Sequence, residues 1–451
     1  MTTPFRFQDE CVGEIDEFYG RALVALPPGL GKTLISYTWA LRNPAVRPVV
    51  VVCPASLKFN WVAEATKHST GFRCEVLEGR KPQHLDPLKA DVWVVNYDVL
   101  ADWLGELRRV NPMLVIADEC HMAKSRTAKR SKALRSLCKG VPCVLALSGT
   151  PLVNRPAELY NVLNILRPEL YPSFFQFATE YCRLRRTPWG LDYSGAKNLG
   201  RLHSRLLREC MVRRKKEDVL KDLPPKRRNL VTLPIEGRSQ YDLAVKDFLA
   251  WLRANGERTG FDVKSQKIVQ IGAIKRLAAR LKMGAALEWV DNFLEEGEDK
   301  ILLFAVHKPV ISELKERYGK GCVVVDGSVT GRDRQRAFDR FQSDPGVRVF
   351  VGNIQAAGTG WNATAASDVA FVEMAWTPGE MVQAEDRVHR IGQDRPVTIH
   401  YLLAHDTIEE DLCQTLERKA RVLSHTLDGS RDQSDLDIYD LLERSLRDKE
   451  S

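Results

Sequence analysis

The sequence has no two cysteines at the C-x-x-C spacing that many zinc and redox sites use. Its ten cysteines are scattered, and the closest two, Cys138 and Cys143, flank an expected strand start. We therefore expect reduced core thiols rather than a disulfide framework or a zinc site. No apolar run approaches the roughly 20 residues of a membrane-spanning helix. The first residues, MTTPFRFQDEC, have no basic segment leading into an apolar one, so we expect a soluble, intracellular protein of the cytoplasm, nucleoid or nucleus, with no membrane partner.

A strong charge imbalance is also missing. The 67 basic and 59 acidic residues leave a net charge of +8 over 451 residues, which permits a polyanionic partner without requiring one. The 44% hydrophobic content lets two or three domains bury a core each. One basic run is dense: Arg201, Arg205, Arg208 and 213–216. Such a run is either a solvated helix face or a surface that faces DNA.

The stretch Pro27–Thr33, PPGLGKT, lies between two different patterns. The apolar run Ala22–Leu26 predicts a buried parallel strand, and Leu34–Leu41 predicts a helix. A strand that turns through glycines into a helix aims backbone N–H groups and the positive end of the helix dipole at one point, which suits a phosphate. Lys32 would then reach the β and γ phosphates of a nucleotide, and the Thr33 hydroxyl would hold Mg²⁺. Leucine replaces the first glycine of the full pattern, and a chance Gly-Lys-Thr at a helix start is the alternative.

A second apolar strand pattern, Met113–Ala117, runs directly into the sequence DECH that begins at Asp118. A carboxylate at the end of a strand beside a phosphate loop can complete the ligand set of Mg²⁺. Glu119 would orient or deprotonate the attacking water. Two adjacent carboxylates on an apolar strand are costly without a cation, which argues against a purely structural role. We expect His121 to link this site to the next strand, which closes in Ser148–Pro151.

Strand and helix patterns alternate through both halves of the chain. This alternation predicts an α/β fold with two doubly wound parallel sheets. Paired prolines between the halves stop a helix and predict a linker. The predicted divisions are lobe 1 at 1–222 with a helical insertion at about 155–222, the linker at 223–229, lobe 2 at 230–427 with a helical insertion at about 239–294, and a C-terminal tail at 428–451.

The second half carries an arginine pair that the first half lacks. In the sequence QAEDRVHR, which begins at Gln383, Arg387 and Arg390 are three residues apart and share one helix face or turn. Planar guanidinium groups suit the charge on a transferred γ-phosphoryl group, so both are candidates to act on the nucleotide across a cleft. The glycine-rich stretch Ala356–Asn362 could approach phosphate or DNA closely. Gln8 can offer a donor and an acceptor to an adenine edge.

Together these motifs resemble those of the SWI/SNF type of superfamily 2 helicase-like ATPases. The resemblance rests on Gln8, PPGLGKT, DECH, SGTP and QAEDRVHRIGQ, and it covers about residues 5 to 425. TPWGLDYSGAKNL at 187–199, with RPAELYNVL after SGTP, is similar to the HARP-type annealing-helicase branch. The resemblance implies a minimal motor core without accessory domains: two RecA-like lobes and a brace helix at about 408–425. Such a core uses ATP and Mg²⁺ and translocates along double-stranded DNA.

The resemblance also implies roles for individual residues. Those at the nucleotide would be Gln8, Pro28, Gly29, Leu30, Gly31, Lys32, Thr33, Leu34 and Gly360. Catalysis would involve Lys32, Asp118, Glu119, Gln383, Arg387 and Arg390, with Thr33 and Asp118 as Mg²⁺ ligands. Contact with DNA, or coupling to it, would involve Ser56, Lys58, Asn96, Tyr97, His307, Lys308, Ser328, Gly358, Thr359, Trp361, Asn362 and Trp376.

We therefore expect a monomeric, DNA-stimulated ATP hydrolase that translocates on double-stranded or branched DNA and remodels forks or protein–DNA complexes. Two other classes stay open. A strand-separating helicase would need a wedge element, and the second half has no obvious hairpin with an aromatic tip. An ATP-gated binding module would lack catalytic groups, whereas Glu119, Arg387 and Arg390 are present. The tail contains a short amphipathic patch that docks on the core or on a partner, or else frays.

Overall fold

The structure is a computed structural model. It describes residues 2–149, 151, 156–187, 190–255, 261–329, 331–357, 361–428, 442 and 446. The chain divides into two compact units, Met1–Asp222 with Val422–Asp435 and Leu223–Arg421 with Leu436–Ser451. No helix in the described ranges is long and apolar enough to cross a membrane.

The first unit contains nine strands and nine α-helices among its described residues. The strands are β1 (Arg21–Val24), β2 (Val49–Cys53), β3 (Cys74–Val76), β4 (Val92–Asn96), β5 (Leu114–Asp118), β6 (Cys143–Leu147), β7 (Cys182–Thr187), β8 (Gly190–Ala196) and β9 (Met211–Val212). The helices are α1 (Arg6–Glu17), α2 (Lys32–Arg42), α3 (Lys58–Lys67), α4 (Leu100–Arg109), α5 (Lys129–Cys138), α6 (Tyr160–Leu166), α7 (Phe174–Tyr181), α8 (Leu199–Glu209) and α9 (Lys216–Val219).

Seven of these strands form one parallel sheet in the order β3-β4-β2-β5-β6-β1-β9. Every residue of β2, β4 and β5 is buried, as expected where helices cover both faces of a sheet. Along β2, Val50 and Val52 enter one apolar cluster while Val49, Val51 and Cys53 enter another. The carboxyl ends of the parallel strands share one edge, so the loops that follow β1, β5 and β6 lie together there.

The second unit repeats this plan with a six-stranded parallel sheet. Its strands are β10 (Lys226–Leu233), β11 (Ile301–Ala305), β12 (Cys322–Val325), β13 (Val349–Asn353), β14 (Asp368–Phe371) and β15 (Val397–Ala404). Its helices are α10 (Arg238–Asn255), α11 (Phe261–Leu281), α12 (Met283–Glu296), α13 (Lys308–Tyr318), α14 (Gly331–Ser343), α15 (Ile354–Ala357), α16 (Pro378–Glu385) and α17 (Ile408–Asp428), of which the part from Val422 onward is grouped with the first unit. The sheet order is β10-β15-β14-β11-β13-β12. The predicted fold class, two doubly wound parallel sheets with helical insertions, is confirmed.

Two predicted boundaries differ from the structure. The linker predicted at 223–229 is too long, because β10 begins at Lys226 and pairs with β15 along its whole length. The insertion predicted as helical at about 155–222 also contains strands. In it β7 and β8 form an antiparallel hairpin, and β9 pairs with β1 at the edge of the large sheet. With two residues, β9 is too short to give a period in the sequence.

The C-terminal tail is described at two positions, Leu442 and Leu446. Both side chains are buried in the same apolar cluster as Phe371, Tyr401 and Leu416 of the second unit. Of the alternatives for the amphipathic patch, docking on the core therefore agrees with the structure. All ten cysteines are free thiols, as expected.

Trp361 fills the core of the second unit. Its indole stacks on Phe338 with ring centroids 4.2 Å apart, and its ring centroid lies 4.5 Å from that of Phe350. The indole N–H donates to the carbonyl of Ala357 at 2.8 Å. The side chain is 5% exposed, so a part for Trp361 in coupling to DNA, rather than in direct side-chain contact, stays a prediction. The aromatic cluster fixes the position of Trp361 and, through its indole N–H, that of Ala357.

We expect Trp361→Ala to destabilise the second unit by about 3–5 kcal/mol, since it removes a large buried aromatic group and leaves a cavity. Leu243→Ala is the control, because Leu243 is 59% exposed and surface changes usually stay within about 0.5 kcal/mol. Urea unfolding of the full chain, followed by circular dichroism, measures both. Equal midpoints for the two variants would contradict this account of the core.

Candidate ATP site

The loop between β1 and α2 is built to hold a phosphate. Gly29 and Gly31 have φ angles of 87° and 76°, a left-handed conformation that glycine adopts without strain. A Cβ atom on Gly31 would collide with the side-chain amide of Gln8. Lys32 begins α2, and its Nζ atom donates to the carbonyl of Leu26 at 3.0 Å. The backbone N–H groups at this helix start face the point where a phosphate would lie.

Gln8 ties α1 to this loop. Its Nε2 atom donates to the carbonyl of Leu30 at 3.1 Å, and its Oε1 atom accepts from the backbone N–H of Phe5 at 2.9 Å. The side chain is buried. A contact with adenine would therefore use the remaining N–H or lone pair of the same amide.

The acidic part of the site lies at the end of β5. The carboxylate of Asp118 accepts two hydrogen bonds, from the indole N–H of Trp61 and from the backbone N–H of Glu119, both at 2.9 Å. The hydroxyl of Tyr97 donates to the backbone carbonyl of Asp118 at 2.9 Å. These contacts fix the direction of the carboxylate. Trp61 lies 57 residues from Asp118 in the chain, and no sequence spacing indicates that the two meet.

The electrostatics of this carboxylate are those of a cation ligand. Burial and, secondarily, the charge of Glu119 raise the pKa of Asp118 to about 6, while the hydrogen bond from Trp61 and the charge of Lys32 oppose the increase. A buried acid of this kind favours a nearby positive charge. Oxygen ligands at the end of β5 beside the phosphate loop fit Mg²⁺.

Glu119 adopts a conformation that few non-glycine residues adopt, with φ 48° and ψ 52°. Its Oε2 atom lies 3.3 Å from Nδ1 of His121. The same nitrogen lies 3.2 Å from the hydroxyl oxygen of Ser148, after β6. The predicted link from DECH to the next strand through His121 is therefore confirmed, and the imidazole lies beside the Glu119 carboxylate.

The loop after β6 closes against the phosphate loop. A Cβ atom added to Gly149 would lie 2.8 Å from Cδ and 3.0 Å from Cγ of Pro28, which is closer than real contacts allow. Glycine at this position lets the two loops touch. The loops after β1, β5 and β6 thus converge on one place at the edge of the sheet.

The arginine pair of the second unit lies in a turn that follows α16, so of the two arrangements expected for it the turn is correct. Nη1 of Arg387 and Nη1 of Arg390 donate to the same acceptor, the backbone carbonyl of Trp361, at 3.2 and 2.9 Å. Nε of Arg387 donates to the carbonyl of Gln383 at 3.0 Å. The pair therefore meets beside the glycine-rich segment, of which Gly358, Thr359 and Gly360 lie outside the described residues.

The residues predicted to contact DNA divide by exposure. Three besides Trp361 are buried, so a part in coupling rather than in direct side-chain contact stays a prediction for them: Lys58, Asn96 and Tyr97. Nζ of Lys58 donates to the carbonyl of Leu77, just after β3, at 2.9 Å. Those that are accessible in full or in part are Ser56, His307, Lys308, Ser328, Asn362 and Trp376.

Glu373 is a buried site residue that the sequence did not reveal. Its Oε2 atom accepts from the backbone N–H groups of Val306 and His307, both at 2.8 Å, and its Oε1 atom lies 2.5 Å from Nδ1 of His307. Burial raises its pKa, but the hydrogen bonds and charge of His307 outweigh burial and hold the pKa below its usual value. Glu373 thereby fixes the turn after β11 that carries His307 and Lys308.

Two family models match the chain in succession. The SNF2-related domain matches residues 22–272, and the helicase conserved C-terminal domain matches residues 285–392. The chain belongs to the SNF2-related family of helicase-like ATPases. Its SNF2-related part includes the phosphate loop and DECH, and the C-terminal match includes both arginines. The predicted SWI/SNF type and ATP hydrolase class are confirmed.

Named relatives of this SNF2-family chain are larger proteins. It is 34% identical, over 95% of its length, to the SWI/SNF-related matrix-associated actin-dependent regulator of chromatin subfamily A-like protein 1 of Xenopus tropicalis, and it covers 47% of that protein. It is 34% identical, over 92% of its length, to human DNA annealing helicase and endonuclease ZRANB3, and it covers 39% of that protein. The chain thus spans less than half of either relative. The resemblance to the HARP-type annealing-helicase branch is confirmed.

A solved structure, the Sulfolobus solfataricus SWI2/SNF2 ATPase core in complex with dsDNA, is also similar. It shares 24% sequence identity with this chain, with 96% of this chain and 98% of that chain covered, at a TM-score of 0.44.

We expect Gly149→Ala to lower kcat/KM for ATP by about 10- to 100-fold, since the new methyl group displaces Pro28 and the phosphate loop with it. Gly105→Ala is the matched control. Gly105 lies within α4, and a Cβ atom added there would have no heavy atom within 4 Å, so the change should leave turnover unaltered and stabilise the helix by about 0.5–1 kcal/mol. Steady-state ATPase assays measure kcat/KM for both variants. Full activity of G149A would show that the two loops need not touch.

Proposed function

We propose that the chain is a DNA-stimulated ATPase that translocates, as a monomer, along double-stranded DNA and remodels forks or protein–DNA complexes. The observation that carries the proposal is the convergence of Lys32, Asp118 and Glu119 at one edge of the first sheet. Family membership supports hydrolysis of ATP, and a relative named as a DNA annealing helicase supports DNA as the track. We propose double-stranded or branched DNA as the substrate class.

In the proposed mechanism each catalytic group has one task. Lys32 and the backbone of the phosphate loop bind the β and γ phosphates. Thr33 and Asp118 would hold Mg²⁺, which would neutralise phosphate charge when bound. Glu119, beside His121, would position the attacking water and accept its proton.

The second unit would supply the remaining charge. Arg387 and Arg390 would stabilise the charge that builds on the γ-phosphoryl group. Because the catalytic groups are divided between two units, turnover would alternate the hold of each unit on the DNA backbone. Such alternation would move the motor along the DNA with each cycle.

Much of the basic run in the first unit has structural partners. Arg205 pairs with Glu209 at 2.8 Å and lies over the ring of Tyr171. Nη1 of Arg213 donates to the carbonyl of Ala25 at 2.8 Å, and Arg214 pairs with Glu14. These guanidinium groups hold the fold together. The run is therefore a weaker candidate for a DNA surface than its density suggests.

The β7–β8 hairpin offers a better candidate. Arg185 and Arg186 are exposed on β7, and in the part of the chain that the structure describes neither forms an ion pair. The hairpin belongs to neither large sheet. It is anchored by Tyr193 against Phe174, whose ring also lies beneath Arg126. Asp192 is opposite Arg185 in the hairpin register, and Arg186 is opposite Leu191. We infer that these two arginines contact DNA phosphates, since exposed cations favour a polyanion.

Strand separation is the second candidate function, and the same hairpin favours it. The sequence shows no obvious wedge in its second half, whereas this hairpin lies in the first unit. Its strands are joined in the sequence by Pro188 and Trp189, which lie outside the described residues. A strand-displacement assay on plain duplex beside a triplex-displacement assay separates the two functions. Translocation predicts triplex displacement alone.

We expect duplex DNA to stimulate ATP hydrolysis by the wild-type chain. Lys32→Ala should abolish hydrolysis, since the lysine charge on the phosphates is lost. Arg390→Ala should lower kcat by about 10³-fold or more, the usual contribution of an arginine that meets the transition state. ATPase rates without DNA and with single strands, duplexes, forks and four-way junctions test this. An unstimulated wild-type rate would favour an ATP-gated binding module, and an active K32A protein would overturn the assignment of the site.

We expect Arg185→Ala with Arg186→Ala to weaken duplex binding and to lower the slope of log K against log salt by about 2, since two phosphate contacts are lost. Lys81→Ala with Lys89→Ala removes the same charge from exposed positions of the same unit and serves as control. Fluorescence anisotropy at several salt concentrations measures the slopes. If both double variants gave the wild-type slope, the hairpin would not be a DNA contact.

A further inference from the structure

The turn that carries the arginine pair is attached to the strand that begins the second unit. Glu385, the last residue of α16, accepts hydrogen bonds from three side chains. Nζ of Lys226 lies 2.8 Å from its Oε2 atom. Nε and Nη2 of Arg228 bind its two oxygens at 3.1 and 2.8 Å, and the hydroxyl of Tyr401 donates at 2.6 Å. The carboxylate is thus fully engaged from β10 and β15.

Two neighbours of Glu385 make contacts with the same stretch. Oδ1 of Asp386 lies 3.2 Å from Nζ of Lys226. Nε2 of His389 lies 2.9 Å from the backbone carbonyl of Pro224, to which it can donate. Residues 385, 386 and 389 therefore all contact residues 224–228. This stretch begins one residue after the chain enters the second unit at Leu223.

The arginines themselves use other partners. Arg387 and Arg390 donate to the carbonyl of Trp361, as described above. Within six residues, one set of side chains contacts the start of β10 and another set meets the glycine-rich segment. The same short turn thus carries both the guanidinium groups and the side chains that anchor it to β10.

Stability alone is a weak explanation for this cluster. The side chains of Lys226, Glu385 and Asp386 are 17%, 1% and 3% exposed, and removing charges from water at such depth costs free energy that ion pairing often fails to return. Burial works against the ionised form of Glu385, yet the charges of Lys226 and Arg228 hold its pKa below the usual value. An apolar cluster would support the fold as well. Ion pairs with defined directions, by contrast, specify the geometry of the turn.

We propose that Lys226 is a positioning residue for ATP hydrolysis: through Glu385 and Asp386 it sets the turn that presents Arg387 and Arg390. The placement of the arginine pair then depends on the strand that begins where the chain passes from one unit to the other. This inference rests on the proposed function, because it needs the arginines to act on the nucleotide.

The chain offers a matched control in Lys282. This lysine is 1% exposed and pairs with Glu409, which is fully buried, at 2.5 Å. Its Nζ atom also donates to the carbonyl of Leu402. Lys282→Met therefore removes a buried ammonium from an ion pair in the same unit, as Lys226→Met does, but its partners lie outside the arginine motif.

The experiment compares Lys226→Met, Lys226→Arg and Lys282→Met in the full chain, with kcat, KM for ATP and Tm measured for each at saturating duplex DNA. We expect K226M to lower kcat about tenfold, with KM changed by less than about twofold, because ATP is held chiefly by the phosphate loop. K226R keeps the charge and should restore most of kcat. K282M should lower Tm while the folded fraction keeps the wild-type kcat. Equal kcat values for K226M and wild type would overturn the inference.

A double-mutant cycle separates positioning from general damage. If Lys226 acts through the arginines, K226M should have no further effect on single-turnover rates in a background that carries both R387A and R390A, whereas independent effects would multiply. Multiplying effects would overturn the inference and leave the proposed function intact. A normal rate for R390A itself would overturn the arginine role, and this inference with it. Should K226M fail to fold, Tyr401→Phe is the second variant, because it removes one hydrogen bond to Glu385. We expect Y401F to lower kcat about twofold to threefold. A wild-type kcat for Y401F would overturn the inference.

Discussion

The hydrogen bond from Trp61 to Asp118 is the contact around which the first site is arranged. It fixes a buried carboxylate at the end of β5, where burial alone would favour protonation. The phosphate loop, Glu119 and the Ser148–Gly149 turn then reach the same place because parallel strands present their carboxyl ends along one edge. The parallel arrangement of the strands thus determines both the fold of this unit and the place where these side chains meet. Once the sheet forms, the positions of the side chains at that edge are largely determined.

In the second unit, buried ion pairs rather than an indole N–H fix the polar groups. Buried carboxylates hold its turns: Glu373 closes the turn after β11, and Glu385 anchors the turn that carries the arginines. In each case a negative charge is taken out of water and surrounded by directed donors. The two units therefore differ in what fixes their polar groups. The first uses a neutral donor to hold an acid, and the second uses acids to hold the turns that carry its basic residues.

The sequence predicted the sheets well because buried parallel strands are continuous apolar runs, as in Val49–Cys53 and Leu114–Asp118. It also located the phosphate loop, the acidic pair and the arginine pair, since their spacing is local. It failed where the answer depends on distant partners. Nothing local shows that Trp61 meets Asp118, that Lys58 is buried, or that Arg214 has an acidic partner. The two-residue strand β9 has no period to detect.

The backbone at Glu119 has a consequence for how this protein can change. A left-handed conformation costs a residue with a Cβ atom roughly 1–2 kcal/mol relative to glycine. Glycine or asparagine at this position would relax the chain and remove the carboxylate at once. Under the proposed role of Glu119 in hydrolysis, this position sets stability against turnover, and a variant library selected for heat resistance alone should drift away from glutamate here.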